Sequence, residues 1–298
     1  MSLFGRRHHE RALAYLLLLP ALAAVLFLVL YPLAKVVDLS LRVGRTMNFA
    51  RLATLPLGTD NYSRVLADPA FRQACATTLA YVAASVTLAL VIGLGTALLL
   101  DLRFPARRLF RTLLLLPWAV PGVVASIVFR WMFDASFGVV NAILRRVGLL
   151  ATDFAWLVDS RTALAAVIVP TVWKAYPLIT LTLLAAMQSI PAELYEAAHV
   201  DGAGTFRRFR HVTWPGIAAA TTLAALVSGL WILRDIDIVF AATGGGPAGA
   251  TATVALYVYT EAFQYFRMGT ATAAGVLVVA AAMVLSAASV AVAGRRRT

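Results

Sequence analysis

The chain has 298 residues, 61% of them hydrophobic and only 13% charged, and its mean hydropathy is +0.83, whereas soluble domains carry about 25% charged residues. That balance excludes a soluble enzyme or binding module and points to an all-α polytopic membrane protein with about 20 apolar residues per crossing. The net charge of +12 does not argue for nucleic acid, because the arginines fall in short groups between apolar runs and form no single basic face.

In chain order, a basic start (Arg6, Arg7, Arg11) leads into an apolar run over residues 13–34. A cleaved signal peptide ending at Ala21-Leu22-Ala23 is one reading, but the run continues past that point and is long enough to span, so an uncleaved first helix is expected. Further spans are expected over residues 74–100, 109–129, 162–187, 212–240 and 270–293, six in all. An even number puts both termini on one side. Residues 1–12, 101–111, 188–211 and 294–298 hold half of the 26 Lys+Arg in about a sixth of the length, which assigns that side to the cytoplasm.

Pro20, Pro117, Pro121, Pro170 and Pro177 fall inside these spans and free backbone carbonyls that neighbouring helices or a wet cavity must satisfy. The second span carries Ala89, Gly93 and Ala97 at four-residue spacing, a small-residue face for close helix packing. Between the third and fourth spans, Val140, Ile143, Leu144 and Val147 form an apolar stripe beside Arg145 and Arg146, the pattern of a short amphipathic helix on the outer membrane face.

No catalytic inventory is present. The four histidines form no His-Glu-x-x-His zinc pattern, the lone Cys75 excludes a cysteine metal cluster, and no Gly-x-Ser-x-Gly elbow occurs. Lys35 and Lys174 are followed by Val36 and Ala175, so no phosphate-binding loop is possible, and no cofactor or metal is expected on this chain. If ATP drives this protein, another polypeptide binds it.

Ionisable residues at membrane depth are the next candidates, since burying them is costly without compensation. Trp173, Lys174 and Tyr176 lie in the fourth span, and Arg234, Asp235 and Asp237 toward the outer end of the fifth. They suit either the lining of a polar substrate path or an internal ion pair between Lys174 and Asp235 or Asp237. Thr243, Gly244, Gly245, Gly246 and Pro247 then make a tight turn, either a hinge of the outer loop or an ordinary connector.

The most informative stretch is polar and basic, over residues 188–211 between two long apolar runs. Ser189 and Pro191 suit a helix start, Leu194, Ala197 and Ala198 share one face, and Asp201-Gly202 ends the helix. Phe206 and Phe209 would anchor a second short helix, with Arg207, Arg208 and Arg210 outward. The expected product is a helix-turn-helix elbow standing out of the membrane.

Here the sequence resembles a family. Glu196, Ala197, Ala198, Gly202 and Pro215 stand at the spacing of the loop signature of permease subunits of bacterial ABC importers, with Val212 and Trp214 at its Ile and Leu positions. The Asp201-Gly202-Ala203 form is similar to the carbohydrate-uptake branch, which the maltose and glycerol-phosphate permeases typify. Asn61-Tyr62, Gly138, Asn141, and Thr243 to Pro247 followed by Thr253, Tyr257, Tyr259 and Phe263 extend the resemblance over most of the chain.

The resemblance implies a type I ABC importer permease fold in a bacterial cell membrane. Implied partners are a second homologous permease subunit, a dimer of ATP-binding subunits that carries ATP and Mg, and an extracytoplasmic substrate-binding protein. Glu196, Ala197, Ala198, Asp201, Gly202, Phe206 and Pro215 would couple to the ATPase. The implied substrate is a di- or oligosaccharide, with glycerol phosphate as the alternative. An ion-coupled secondary transporter would need an inverted repeat, which the sequence lacks, and would leave the elbow unexplained.

Overall fold

The structure, a computed structural model, describes residues 16–44, 49–102 and 104–295. The basic start, residues 13–15 of the first expected span, and Arg296 and Arg297 lie outside the described residues. Helices dominate: α1 Leu16–Ser40, α2 Asp60–Ala67, α3 Pro69–Asp101, α4 Arg107–Ala119, α5 Gly122–Met132, α6 Val139–Arg146, α7 Ala163–Gln188, α8 Ala192–Val200, α9 Thr205–Arg234, α10 Asp237–Thr243, α11 Val254–Tyr259 and α12 Met268–Arg295. Among the described residues, five helices are long and apolar enough to cross a membrane, and six spans result if α4 and α5 count as one broken span.

Two compact units make up the chain, one of residues 1–68 and 258–279, the other of residues 69–257 and 280–298. In the first unit Asn61 is the organising residue. It is buried, and its amide donates to the Ser40 and Arg42 carbonyls at 2.9 and 2.8 Å, tying α2 to the end of α1. Tyr62 and Ser40 share a hydroxyl bond of 2.6 Å. Gly269 packs against this knot so closely that a Cβ there would stand 2.5 Å from the Arg42 carbonyl.

In the second unit α3 lies on α7. Gly93 is what allows the approach, since a Cβ would meet Ile179 Cγ2 at 2.8 Å. Higher on the same seam the buried Tyr81 hydroxyl bonds Thr171 Oγ1 at 2.5 Å, and the Thr171 hydroxyl donates a hydrogen bond to the Val167 carbonyl of its own helix at 3.1 Å. Paired hydroxyls of this kind satisfy each other where water is absent. Helix α9 packs on both α7 and α3.

Two expected spans differ from the continuous helices expected. The third bends by 94° between α4 and α5. Val120 adopts ψ 131 because a residue before proline is pushed out of the helical region, and Pro121 then serves as the N-cap of α5. The fifth does not run on to residue 240: α9 stops at Arg234, Asp235 is extended at ψ 118, and α10 begins afresh. The Asp235 carboxylate accepts from the Asp237 N–H at 3.0 Å, so an apparent charge cluster is also a helix stop and start signal.

Where prolines sit one or two residues into a continuing helix, the chain accommodates them differently. Five-residue π turns at Leu26–Leu30 and Phe209–Thr213 immediately precede the turns holding Pro32 and Pro215. A proline offers no N–H and crowds the carbonyl four residues back, and a widened turn relieves both.

Candidate functional site: a broken-helix cavity and an exposed elbow

The elbow follows α7. Ser189 ends α7 and its hydroxyl turns back to the Ala186 carbonyl (2.7 Å), so the cap of α8 is Pro191, at ψ 133, and not Ser189 as expected. Gly202 adopts φ +72 and closes α8, with Ala203 N–H on the Ala198 carbonyl (2.9 Å) and Gly202 N–H on His199 (3.0 Å). No residue of α8 is buried. Glu196, Ala197, Asp201 and Gly202 are exposed and Ala198 is partly so, while Val200 and Phe206 are 86% and 75% exposed.

The second arm is not a separate short helix. It runs through the π turn directly into α9, because that turn absorbs Pro215. Phe206, expected as an anchor, therefore reaches outward, and the inward contact comes from Phe209, whose ring lies 6.3 Å from Trp214. Two contacts fix the base of the elbow: Tyr195 OH with Thr213 Oγ1 at 3.1 Å, and Ile190 over Gly216, where a Cβ would stand 2.5 Å from Ile190 Cδ1. The elbow thus has a base pinned by two contacts and a tip of which no residue is buried.

Just ahead of the elbow, the Gln188 carboxamide oxygen accepts from Arg111 (2.7 Å) and Arg107 (2.8 Å) of α4. Arg107 also reaches Asp101 at 3.9 Å. This strut joins the ends of α3, α4 and α7, and sequence reasoning missed it, because Arg107 and Arg111 read there only as topology markers.

At the other functional region, a cavity of about 120 Å³ is lined by Trp118, Thr171, Lys174, Ser228, Trp231 and Asp235, among others. A second, of about 140 Å³ and mostly apolar, adjoins it along the seam of α7 and α9, sharing Leu178 and Ser228. Of the six expected path residues, Lys174 and Asp235 line the first cavity. Trp173 instead packs edge-on against Phe129 at 5.5 Å. Tyr176 is partly buried off the cavity, and Arg234 is exposed. Asp237 lies against Gly122 at the N-terminus of α5, where a Cβ would be 3.2 Å from its Oδ2, a position that suits a carboxylate.

Lys174 donates to the Val120 carbonyl. Val120 lies in the extended break between α4 and α5, where its carbonyl has no helical donor, so the lysine satisfies one of the groups exposed by the bend. Among the described residues Lys174 makes no ion pair, and the expected Lys174–Asp235 or Lys174–Asp237 bridge is not formed. Ser126 Oγ donates to the Ile238 carbonyl at 2.9 Å, which locks the two broken helices α5 and α10 together beside the cavity. Trp118 and Trp231 were overlooked because tryptophans in apolar runs carry no periodic signal that separates lipid-facing from cavity-facing positions.

The glycine-rich turn is built as a locked loop. Gly244, at φ +60, ends α10. Thr251 is fully buried, donates to the Gly246 carbonyl (2.7 Å) and bonds Thr243 Oγ1 (2.6 Å), which itself accepts from Gly245 N–H (3.2 Å). In the first unit, Glu261 forms a buried carboxylate bridge to Arg267 at 3.4 Å, and burial pushes its carboxyl above the usual range.

The sequence matches, over residues 61–298, the family described as binding-protein-dependent transport system inner membrane component. The chain belongs to this family. Similar proteins include the sulfoquinovosyl glycerol transport system permease protein SmoG of Agrobacterium fabrum, 35% identical over 93% of this chain and 89% of its own length. The trehalose/maltose transport system permease protein MalF of Thermococcus litoralis is 35% identical over 88% of this chain and 86% of its own. The diacetylchitobiose uptake system permease protein DasB of Streptomyces coelicolor is 36% identical over 87% and 80%. A chain in the crystal structure of a bacterial ABC transporter involved in import of the acidic polysaccharide alginate shares the fold, with a TM-score of 0.82 at 22% identity and 99% coverage of both chains. As a family member, this chain is a multi-pass ABC transport permease of the inner membrane.

Proposed function

We propose that this permease forms half of the translocation path of an ATP-driven importer of di- or oligosaccharides. It pairs with a second homologous permease, receives substrate from an extracytoplasmic binding protein, and takes its power from ATP and Mg on two ATP-binding subunits. The carrying observation is the elbow, an unburied α8 on a pinned base, because such a tip needs a docking partner. Glu196, Ala197, Ala198, Asp201 and Gly202 make the contact, with both termini on the same cytoplasmic side. The relatives' names support a sugar as substrate.

The cavity supports a neutral sugar over a phosphate ester. Two tryptophans offer apolar faces to sugar rings, and Thr171, Ser228 and Asp235 can bond hydroxyls. Among the described residues Lys174 is the one cationic side chain lining the cavity; it is engaged with Val120 and Asp235 lies in the same cavity, which disfavours a phosphate there. Closure of the ATP-binding dimer draws the elbows together, and the strut from Gln188 to α4 carries that movement toward the bend beside the cavity. Each ligand must then favour one global state for coupling to exist.

The test is purification of the complex and a screen of binding-protein-loaded sugars and glycerol phosphate for stimulation of its ATPase. Stimulation by a disaccharide supports the reading; stimulation by glycerol phosphate alone overturns the substrate. In the same assay Trp231→Ala is expected to lower transport up to about ten-fold, the equivalent of one aromatic contact, with basal ATPase unchanged.

A further inference from the structure

The transport function leaves the short helix α6 unused. Its rotation is fixed by a root at Asn141, which is buried, donates to the Ala135 and Phe154 carbonyls at 3.2 and 3.0 Å, and accepts from Trp156 Nε1 at 2.7 Å. Gly138 at the start of α6 leaves no room for a side chain, since a Cβ would stand 2.3 Å from the Asp134 carbonyl. With Asn141 inward, the expected stripe divides. Val140 and Leu144 turn toward the protein, while Val139, Ile143 and Val147, four residues apart, are 44%, 55% and 62% exposed.

Other exposed apolar residues lie on the neighbouring elements. Helix α5, part of a membrane span, exposes Val124, Val128 and Trp131, and Phe137 and Leu149 bracket α6 with 71% and 72% exposure. An exposed tryptophan at a helix end suits the headgroup level. Arg145 is engaged by Asp153 at 3.3 Å. Arg146, three residues from Ile143 on the helix surface, has no anionic partner among the described residues.

We propose that α6 is a lipid anchor. Val139, Ile143 and Val147 enter the boundary between headgroups and acyl chains in the leaflet opposite α8, and Arg146 takes an anionic headgroup. The occupant is lipid because the stripe is apolar, ends beside an arginine without an anionic partner among the described residues, and sits on a helix packed against α5, which belongs to a membrane span. Such helices bind through buried apolar area plus attraction between basic residues and anionic lipid. The anchor holds the segment between α5 and α7 at a fixed depth.

The experiment uses the full chain in lipid nanodiscs, with Cys75→Ser removing the sole cysteine and spin labels placed by Ile143→Cys, Val147→Cys or Leu144→Cys. Labels at 143 and 147 are expected to collide more often with oxygen than with a water-soluble nickel chelate, and the label at 144 with neither. A nickel excess at 143 and 147 overturns the proposal, and so does low access to both reagents, which would mean a protein partner covers the stripe. Arg146→Glu is expected to raise nickel access at 143 in phosphatidylglycerol discs and not in phosphatidylcholine discs. An equal effect in both overturns the headgroup contact.

Discussion

Replacing Gly202 with valine is expected to uncouple the permease from its ATPase and to reduce uptake by about ten-fold or more, although nothing crowds the site. A Cβ at Gly202 would meet no atom within 4 Å, so the penalty is purely conformational. At φ +72 the backbone is left-handed, which costs an L-residue roughly 1–2 kcal/mol, more for a branched one, and about 1.4 kcal/mol is a factor of ten in the population of the closed turn. Relief comes by turning Asp201 and Ala203 away from α8, which loses the bond from Ala203 to Ala198 and re-aims the docking face. Gly202→Asn supplies the control, because asparagine tolerates this region. Co-purification of the ATP-binding subunit and sugar uptake should stay near normal in Gly202→Asn and fall in Gly202→Val. Equal activity in both variants would show that the turn does not set the contact.

The second large effect is expected at Gly93, deep between α3 and α7. Gly93→Leu must insert four carbons where a Cβ alone would sit 2.8 Å from Ile179 Cγ2 and 3.3 Å from the Thr180 backbone nitrogen. Overpacking of this kind costs about 1–3 kcal/mol, and here it also forces apart the helices that join Tyr81 to Thr171. Loss of the monodisperse peak at a lower temperature in detergent is the expected reading. Gly95→Leu, two residues on in the same helix, faces open space and should leave the melting temperature within error. A fall in both variants would mean that added bulk anywhere on α3, rather than the fit at this seam, decides, since leucine is the better helix former at both positions.

Five of the six expected apolar segments fall on single long helices and the remaining one on the bent pair α4 and α5, because a span's signal needs only length and hydropathy. The elbow was legible too: Gly202 carries its conformation in its identity, and the spacing from Glu196 to Pro215 is tied to one loop. The breaks were not. A break lies at Val120-Pro121 while Pro170 and Pro177 sit inside an unbroken α7, so the residue type alone does not tell one outcome from the other. Of the six ionisable or aromatic path candidates, only Lys174 and Asp235 line the cavity, since a one-dimensional run of apolar residues does not reveal which side of a span faces a neighbour. Asn61 and Asn141 were noticed as points of likeness, yet their role as buried donors to carbonyls far along the chain is a matter of three-dimensional return, which spacing does not encode.

The bond from Lys174 to the Val120 carbonyl also has an electrical meaning. An elementary charge carried across the membrane potential exchanges about 2.3 kcal/mol of work per 100 mV, and a charge that stays put exchanges none. A proton or sodium relay requires a group that loads and unloads its charge on opposite sides of the field. Bonded to the peptide of a helix bend, Lys174 has the placing of a structural post and not of a relay. A group that keeps its depth in the membrane takes no work from the field.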